Sequence, residues 1–176
     1  MRNQYPIPFV FAVLILMLLL PLAVQSAGNT AKNAAEHPWK GLVVEISDGN
    51  TILVMRNGRP ENILLYGIDC PEMGQAFGKR AQQFTSDHVY RKTVMVVPRK
   101  KNQYGRTAAM VYPLNVAESL NAAIVQAGYA WVYREDCTAE YCPLWLEMEQ
   151  MAKEKGLGLW ADGNPIPPWE FKKNTP

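Results

Sequence analysis

Histidine and cysteine are scarce in this chain, with two histidines and three cysteines among 176 residues. Cys137 and Cys142 lie close together with no histidine near them, too few ligands for a zinc site. Cys70 stands alone, and the sequence gives neither His37 nor His88 as a catalytic partner, so a half-buried free thiol is expected there. Net charge is nearly absent as well: 18 Lys+Arg offset 16 Asp+Glu, which argues against a histone-like or polybasic protein. No internal repeat is present. Acidic residues are missing altogether from residues 1–26 and again from residues 88–117.

The first of these gaps coincides with a leader. Arg2 is followed by an apolar run from Ile7 to Leu20, then Pro21 and the small-residue stretch Val24-Gln25-Ser26 before Ala27. This pattern matches a secretory signal peptide cleaved before Ala27, with an uncleaved membrane anchor over residues 7–24 as the alternative. Either way the rest of the chain is expected to be exported, periplasmic or secreted, with no stable membrane contact once the leader is cleaved. Residues 27–38 are polar and alanine-rich and read as a tether. In an oxidising compartment the Cys137–Cys142 pair is expected to form a disulfide.

From Gly41 the pattern turns to short β-rich runs. Gly41–Ile46, Thr51–Met55 and Asn62–Ile68 are joined by the Ser47-Asp48-Gly49-Asn50 turn and by an Asn57-Gly58 hairpin signal. A helix is expected around Phe77, Ala81 and Phe84, then strands at Thr93–Val97 and Thr107–Tyr112 with a polar loop from Arg99 to Arg106 between them. Ser119 is placed to cap a helix that Gly128 ends, and a last helix runs from about Tyr141 to Lys155 with Leu144, Met148 and Met151 as its buried stripe. Five strands and three helices in this order fit an α+β, mainly β, fold: a five-stranded OB-type barrel.

Two loops can carry chemistry. Asp69-Cys70-Pro71-Glu72 follows the third strand, near the Asp48–Thr51 turn, and Tyr104-Gly105-Arg106 lies across from it. Carboxylates on neighbouring loops suit a hard cation such as Ca²⁺. A nearby Glu can orient or deprotonate a water, and an Arg fork can grip a phosphate. The acid-free stretch holds Arg91, Lys92, Arg99, Lys100, Lys101 and Arg106 interleaved with Tyr90, Tyr104 and Tyr112. Such a stretch is a track for a single strand's phosphates and bases, with Lys100, Lys101 and Tyr104 as the candidate contacts, or else a solvated surface loop.

Several of these segments together resemble the staphylococcal nuclease (thermonuclease) family over residues 39–171, leaving 172–176 as a tail. They are Ser-Asp-Gly-Asn-Thr at 47–51, Tyr-Gly-Ile-Asp-Cys-Pro-Glu at 66–72 and Tyr-Gly-Arg-Thr at 104–107, supported by Leu120-Asn121, Gly128-Tyr129-Ala130 and Gly156 to Trp160. The resemblance implies an OB-fold nuclease, expected as a monomer, acting with Ca²⁺ on DNA or RNA, single strands preferred. It implies two aspartates and a backbone carbonyl on the metal, a glutamate on the attacking water and two arginines on the scissile phosphate. Asp69 falls on one metal aspartate, Cys70 on the carbonyl, Glu72 on the glutamate and Arg106 on the second arginine. Asn50 stands where the other metal aspartate belongs, and Leu64 where the first arginine belongs. The resemblance therefore implies weak Ca²⁺ binding and a slowed hydrolase. The alternatives are a nucleic-acid-binding module without catalysis, or a structural envelope domain with its tryptophans mainly in the core. Arg56 and Arg59, on the adjacent hairpin, are the nearest substitutes for the missing arginine.

Overall fold

The computed structural model describes residue 1, residues 37–102 and residues 104–174. The leader, and all of the tether except His37 and Pro38, lie outside the described residues apart from Met1. In chain order come β1 (Trp39–Ile46), β2 (Thr51–Arg56), β3 (Arg59–Leu65), β4 (Ile68–Asp69), α1 (Gly78–Val89), β5 (Thr93–Lys101) and β6 (Thr107–Pro113). These are followed by α2 (Leu120–Gln126), β7 (Trp131–Val132), α3 (Cys142–Glu154), a 3-10 turn at Gly158–Ala161 and α4 (Pro168–Asn174).

Five strands close into a barrel in the order β1-β2-β3-β6-β5, while β4 and β7 form a separate two-stranded ladder. Strand alternation sends Val43, Ile52, Val54, Ile63, Leu65, Val94, Val96 and Val111 inward, all essentially without solvent contact. Each such burial contributes about 1.5–3 kcal/mol, which fixes the register of every strand. The β2–β3 hairpin turns at Asn57 and Gly58, both at positive φ, as its Asn-Gly pair requires.

Closure comes from a parallel seam between β3 and β6, pairing Ile63 with Thr107 and Leu64 with Ala108. The fully buried Asn121 holds α2 on that seam. Its side chain accepts a hydrogen bond from Val111 N at 3.0 Å and donates to Tyr66 O and Ala109 O at 3.0 and 3.1 Å. Ser119 caps α2 by accepting from Ala122 N, as its position predicts.

Four expectations shift in detail. The third strand splits at Gly67, whose φ of 75° breaks the extended chain and lets it pack against Cys137 Sγ and Trp145. The expected loop at Arg99–Arg106 is half strand, because β5 continues through a bulge to Lys101. The buried face of α3 is Cys142, Trp145, Glu149 and Ala152, while Leu144 and Met151 are exposed and Met148 is only partly covered. Trp145 fills the slot expected for Leu144, and Glu149 is buried because it accepts from Val132 N and pairs with Lys153. Finally, a fourth helix forms where Pro168 supplies a ready first position, and it runs into the residues read as a tail.

Cys137 and Cys142 are joined in a disulfide, as expected. Closing so short a loop contributes about 2 kcal/mol through the unfolded chain. It also fixes the segment after β7, where Tyr133 N donates to Gly67 O directly beneath the acidic loop.

Candidate nuclease site

Three short segments build the site. In the β1–β2 turn, Asn50 N donates to Asp48 Oδ1 at 2.8 Å, and α1 holds the turn through Thr85 Oγ1 donating to Gly49 O at 2.6 Å. Asn50 Oδ1 accepts from Cys70 N at 3.4 Å, tying the turn to the loop after β4. In that loop Glu72 N donates to Gln75 Oε1 and Gln75 N to Glu72 O, both at 2.8 Å. Gly78 is required behind it, since a Cβ there would stand 2.0 Å from Glu72 O. In the third segment one oxygen of Asn102 accepts from both Tyr104 N and Arg106 N, at 3.0 and 2.9 Å. This turn presents Arg106 beside Tyr104, its guanidinium 5.9 Å from the ring centre.

The segments converge on a cavity of about 350 Å³ whose walls include Asp48, Asn50, Leu64, Asp69, Glu72 and Arg106. Cys70 is fully buried, its thiol pushed up by burial, and it is not among the residues that line the cavity. Lys101 and Tyr104 line a second groove with Glu61, Asn62 and Arg106, and Arg106 lines the cavity as well. Lys100 does not join that groove. Its ammonium pairs with Asp136, a residue of the cavity wall. Arg56 pairs with Glu61 at 3.4 Å and stacks on Trp39, and neither Arg56 nor Arg59 lines the cavity.

Sequence reasoning passed over two groups. Asp48 stands in the same turn as Asn50 and its signal was within reach. Lys172 of α4 carries no local signal at all. Its Nζ lies 2.8 Å from Glu72 Oε1 and 3.3 Å from Asp69 Oδ2, placing an ammonium between two carboxylates.

Electrostatics explain why a cation is wanted there. Burial pushes the Asp69 carboxyl up to about 6, Lys172 opposes the rise, and the nearby Glu72 and Asp48 charges add to it. Asp48 is likewise raised by burial, against hydrogen bonds from Asn50 and Thr51. Burial alone would lower Lys172, but its bond to Glu72 and the Asp69 charge outweigh that and raise it.

An acid raised in the fold binds an extra proton between its unfolded value near 3.8 and about 6, so folding stability falls as pH rises through that window. Asp69→Asn is therefore expected to raise the melting temperature of the metal-free protein at pH 7.5 and to do so much less at pH 5. Equal shifts at both pH values in thermal scans with chelator would refute this origin.

The donors are all oxygens, which suits a hard divalent cation and not a soft one. No three His, Cys, Asp or Glu side chains among the described residues converge tightly enough to hold a metal alone. Asp69 and the Asn50 amide oxygen, both on the cavity wall, are side chains that could hold such an ion, whereas Cys70 is not on that wall.

The family model described as staphylococcal nuclease homologue matches residues 62–162. An uncharacterized endonuclease of Haemophilus influenzae is 36% identical over 162 residues, covering 92% of this chain and 85% of that one. The micrococcal nuclease of Shigella flexneri is 39% identical over 142 residues, covering 77% of this chain and 81% of its own. Protein ParB of Escherichia coli is 38% identical over 147 residues, covering 77% and 80%.

Proposed function

Because this chain belongs to the staphylococcal nuclease family, we propose that it hydrolyses phosphodiester bonds of DNA and RNA, with Ca²⁺, at the cavity between Asp69, Glu72 and Arg106. The observation that carries this is the convergence of those three side chains, from the end of β4 and the loop after it and from the turn before β6, onto one space. Asp69 and the Asn50 oxygen would hold the ion. The ion would supply Lewis-acid stabilisation of negative charge on the phosphate.

Glu72 takes a proton from water as the water oxygen bonds to phosphorus; the opposite ester P–O bond breaks, its oxygen takes a proton from solvent water, and Glu72 returns its own proton to solvent. Arg106 holds the phosphate oxygens while charge builds on them. The groove of Lys101 and Tyr104 supports a single strand entering beside Arg106, its bases on the aromatic ring and its phosphates by the lysine.

The rate is expected to be low. An amide at residue 50 withdraws one formal charge from the ion, and Leu64 offers nothing to the phosphate. Those same two residues favour the second reading, a module that binds nucleic acid without cutting it. Export is supported by the apolar leader and by the closed Cys137–Cys142 bridge, a bond that oxidising compartments favour.

The deciding experiment incubates the purified protein with single-stranded DNA and Ca²⁺, then with chelator. Slow cleavage is expected with Ca²⁺, none with chelator and none from Glu72→Ala. Cleavage no faster than that of the Glu72→Ala protein would leave the binding module standing.

A further inference from the structure

The cavity contains a cation that the family motifs do not provide. Among the described residues on its walls, Arg106 and Lys172 are the only two with positive charge, and Leu64 makes the β3 side apolar. We infer that Lys172 replaces the missing arginine, gripping the scissile phosphate from the C-terminal helix; this rests on the nuclease reading above.

Lys172 is not a loose tail residue. Gln75, whose Oε1 accepts from Glu72 N, donates through Nε2 to Ile166 O at 3.0 Å, so one side chain fastens the approach to α4 onto the Glu72 loop. Trp169, early in α4, packs on Trp131 and Tyr133 with ring centres 6.3 and 5.4 Å apart. Pro168 is buried beneath it. The helix is thus docked on β7, on Tyr133 and on the acidic loop, and of these Tyr133, Asp69 and Glu72 line the cavity. From there the Lys172 ammonium reaches Glu72 and Asp69.

The Lys172 side chain is about half exposed, at 51%. The ammonium sits on a four-carbon stem and can swing without moving the helix. Once Asp69 is engaged otherwise, it is left beside the anion the cavity holds, with Arg106 on the other wall. A lysine offers a point charge and not a planar fork, so the replacement restores part of the lost arginine's effect.

The test compares the natural protein, Lys172→Met, Lys172→Arg and a Lys173→Met control, each with and without Leu64→Arg. Cleavage of single-stranded DNA is followed with Ca²⁺. Binding of a fluorescein-labelled phosphorothioate oligonucleotide, which resists hydrolysis, is followed by anisotropy. Lys172→Met is expected to lower both kcat/KM and oligonucleotide affinity by about 10- to 100-fold, the range of one charged hydrogen bond. Lys172→Arg should equal or exceed the natural values, since it keeps the charge and adds the planar fork, and Lys173→Met should stay near them. With Leu64→Arg present, removing Lys172 should change either measurement less than about threefold, since one grip then suffices.

Equal affinity and rate with and without Lys172 would overturn the inference. So would faster cleavage by Lys172→Met, which would make the lysine a plug on the carboxylates. Lys172-dependent binding with no cleavage by any variant would support the grip while removing the hydrolase reading.

Discussion

Leu64→Arg combined with Asn50→Asp is expected to raise kcat/KM on single-stranded DNA by about 10³-fold, the lower end for an arginine contacting transition-state charge in phosphoryl transfer. That corresponds to about 4 kcal/mol of barrier. The structure has room for the change. Leu64 is half-buried on the cavity wall, and its cross-strand neighbours are Thr51 on β2 and Ala108 on β6, both short. An arginine there would enter the same space as Arg106 without displacing a large side chain. An aspartate at residue 50 keeps an oxygen for Cys70 N and returns one negative charge to the cation site. It also adds to a turn whose Asp48 carboxyl is already raised by burial, so the double variant should be less stable without Ca²⁺ and regain stability when it is added. Steady-state rates of the two single variants and the double one give the comparison. An unchanged rate in a folded double variant would mean that more than these two side chains has been remodelled.

Removing Arg106 should have an effect of comparable size in the opposite direction. Arg106→Ala is expected to lower kcat/KM by about 10³-fold, and Arg106→Lys to recover only a small part, because a point charge cannot make the paired contacts of the guanidinium fork. Its backbone is fixed by the Asn102 oxygen and by Asn102 N donating to Arg106 O at 2.9 Å, so the base of the side chain is held in place before substrate arrives. The loss should fall mainly on kcat, with KM changing little, if the contact strengthens as charge builds. A rise in KM alone would instead assign Arg106 to ground-state binding.

Much of the barrel was legible because its signals are local. Alternation along β1 to β3, the Asn57-Gly58 turn and the Ser119 cap each depend on residues close in sequence. The Asp69, Glu72 and Arg106 loops were legible for the same reason, each being a short motif on one turn. What escaped depends on distant partners. Counting apolar residues puts Leu144 and Met151 on the buried face of α3, yet Glu149 is buried instead because Val132 N and Lys153 satisfy it. Lys100 reads as a phosphate contact until Asp136 is seen beside it. Lys172 is 103 residues from Asp69, in the stretch read as a tail.

The parallel seam between β3 and β6 has a consequence for the order of events during folding. Leu64 sits on one side of it and Arg106 immediately precedes the other, so the cavity has two walls only after strands separated by all of α1 and β5 have met. Non-local pairing of this kind forms late, after local hairpins such as β2–β3. A chain halted before closure holds the acidic loop and the Arg106 turn as separate, harmless pieces. On the proposed function, a cutting site exists only from the moment the barrel shuts.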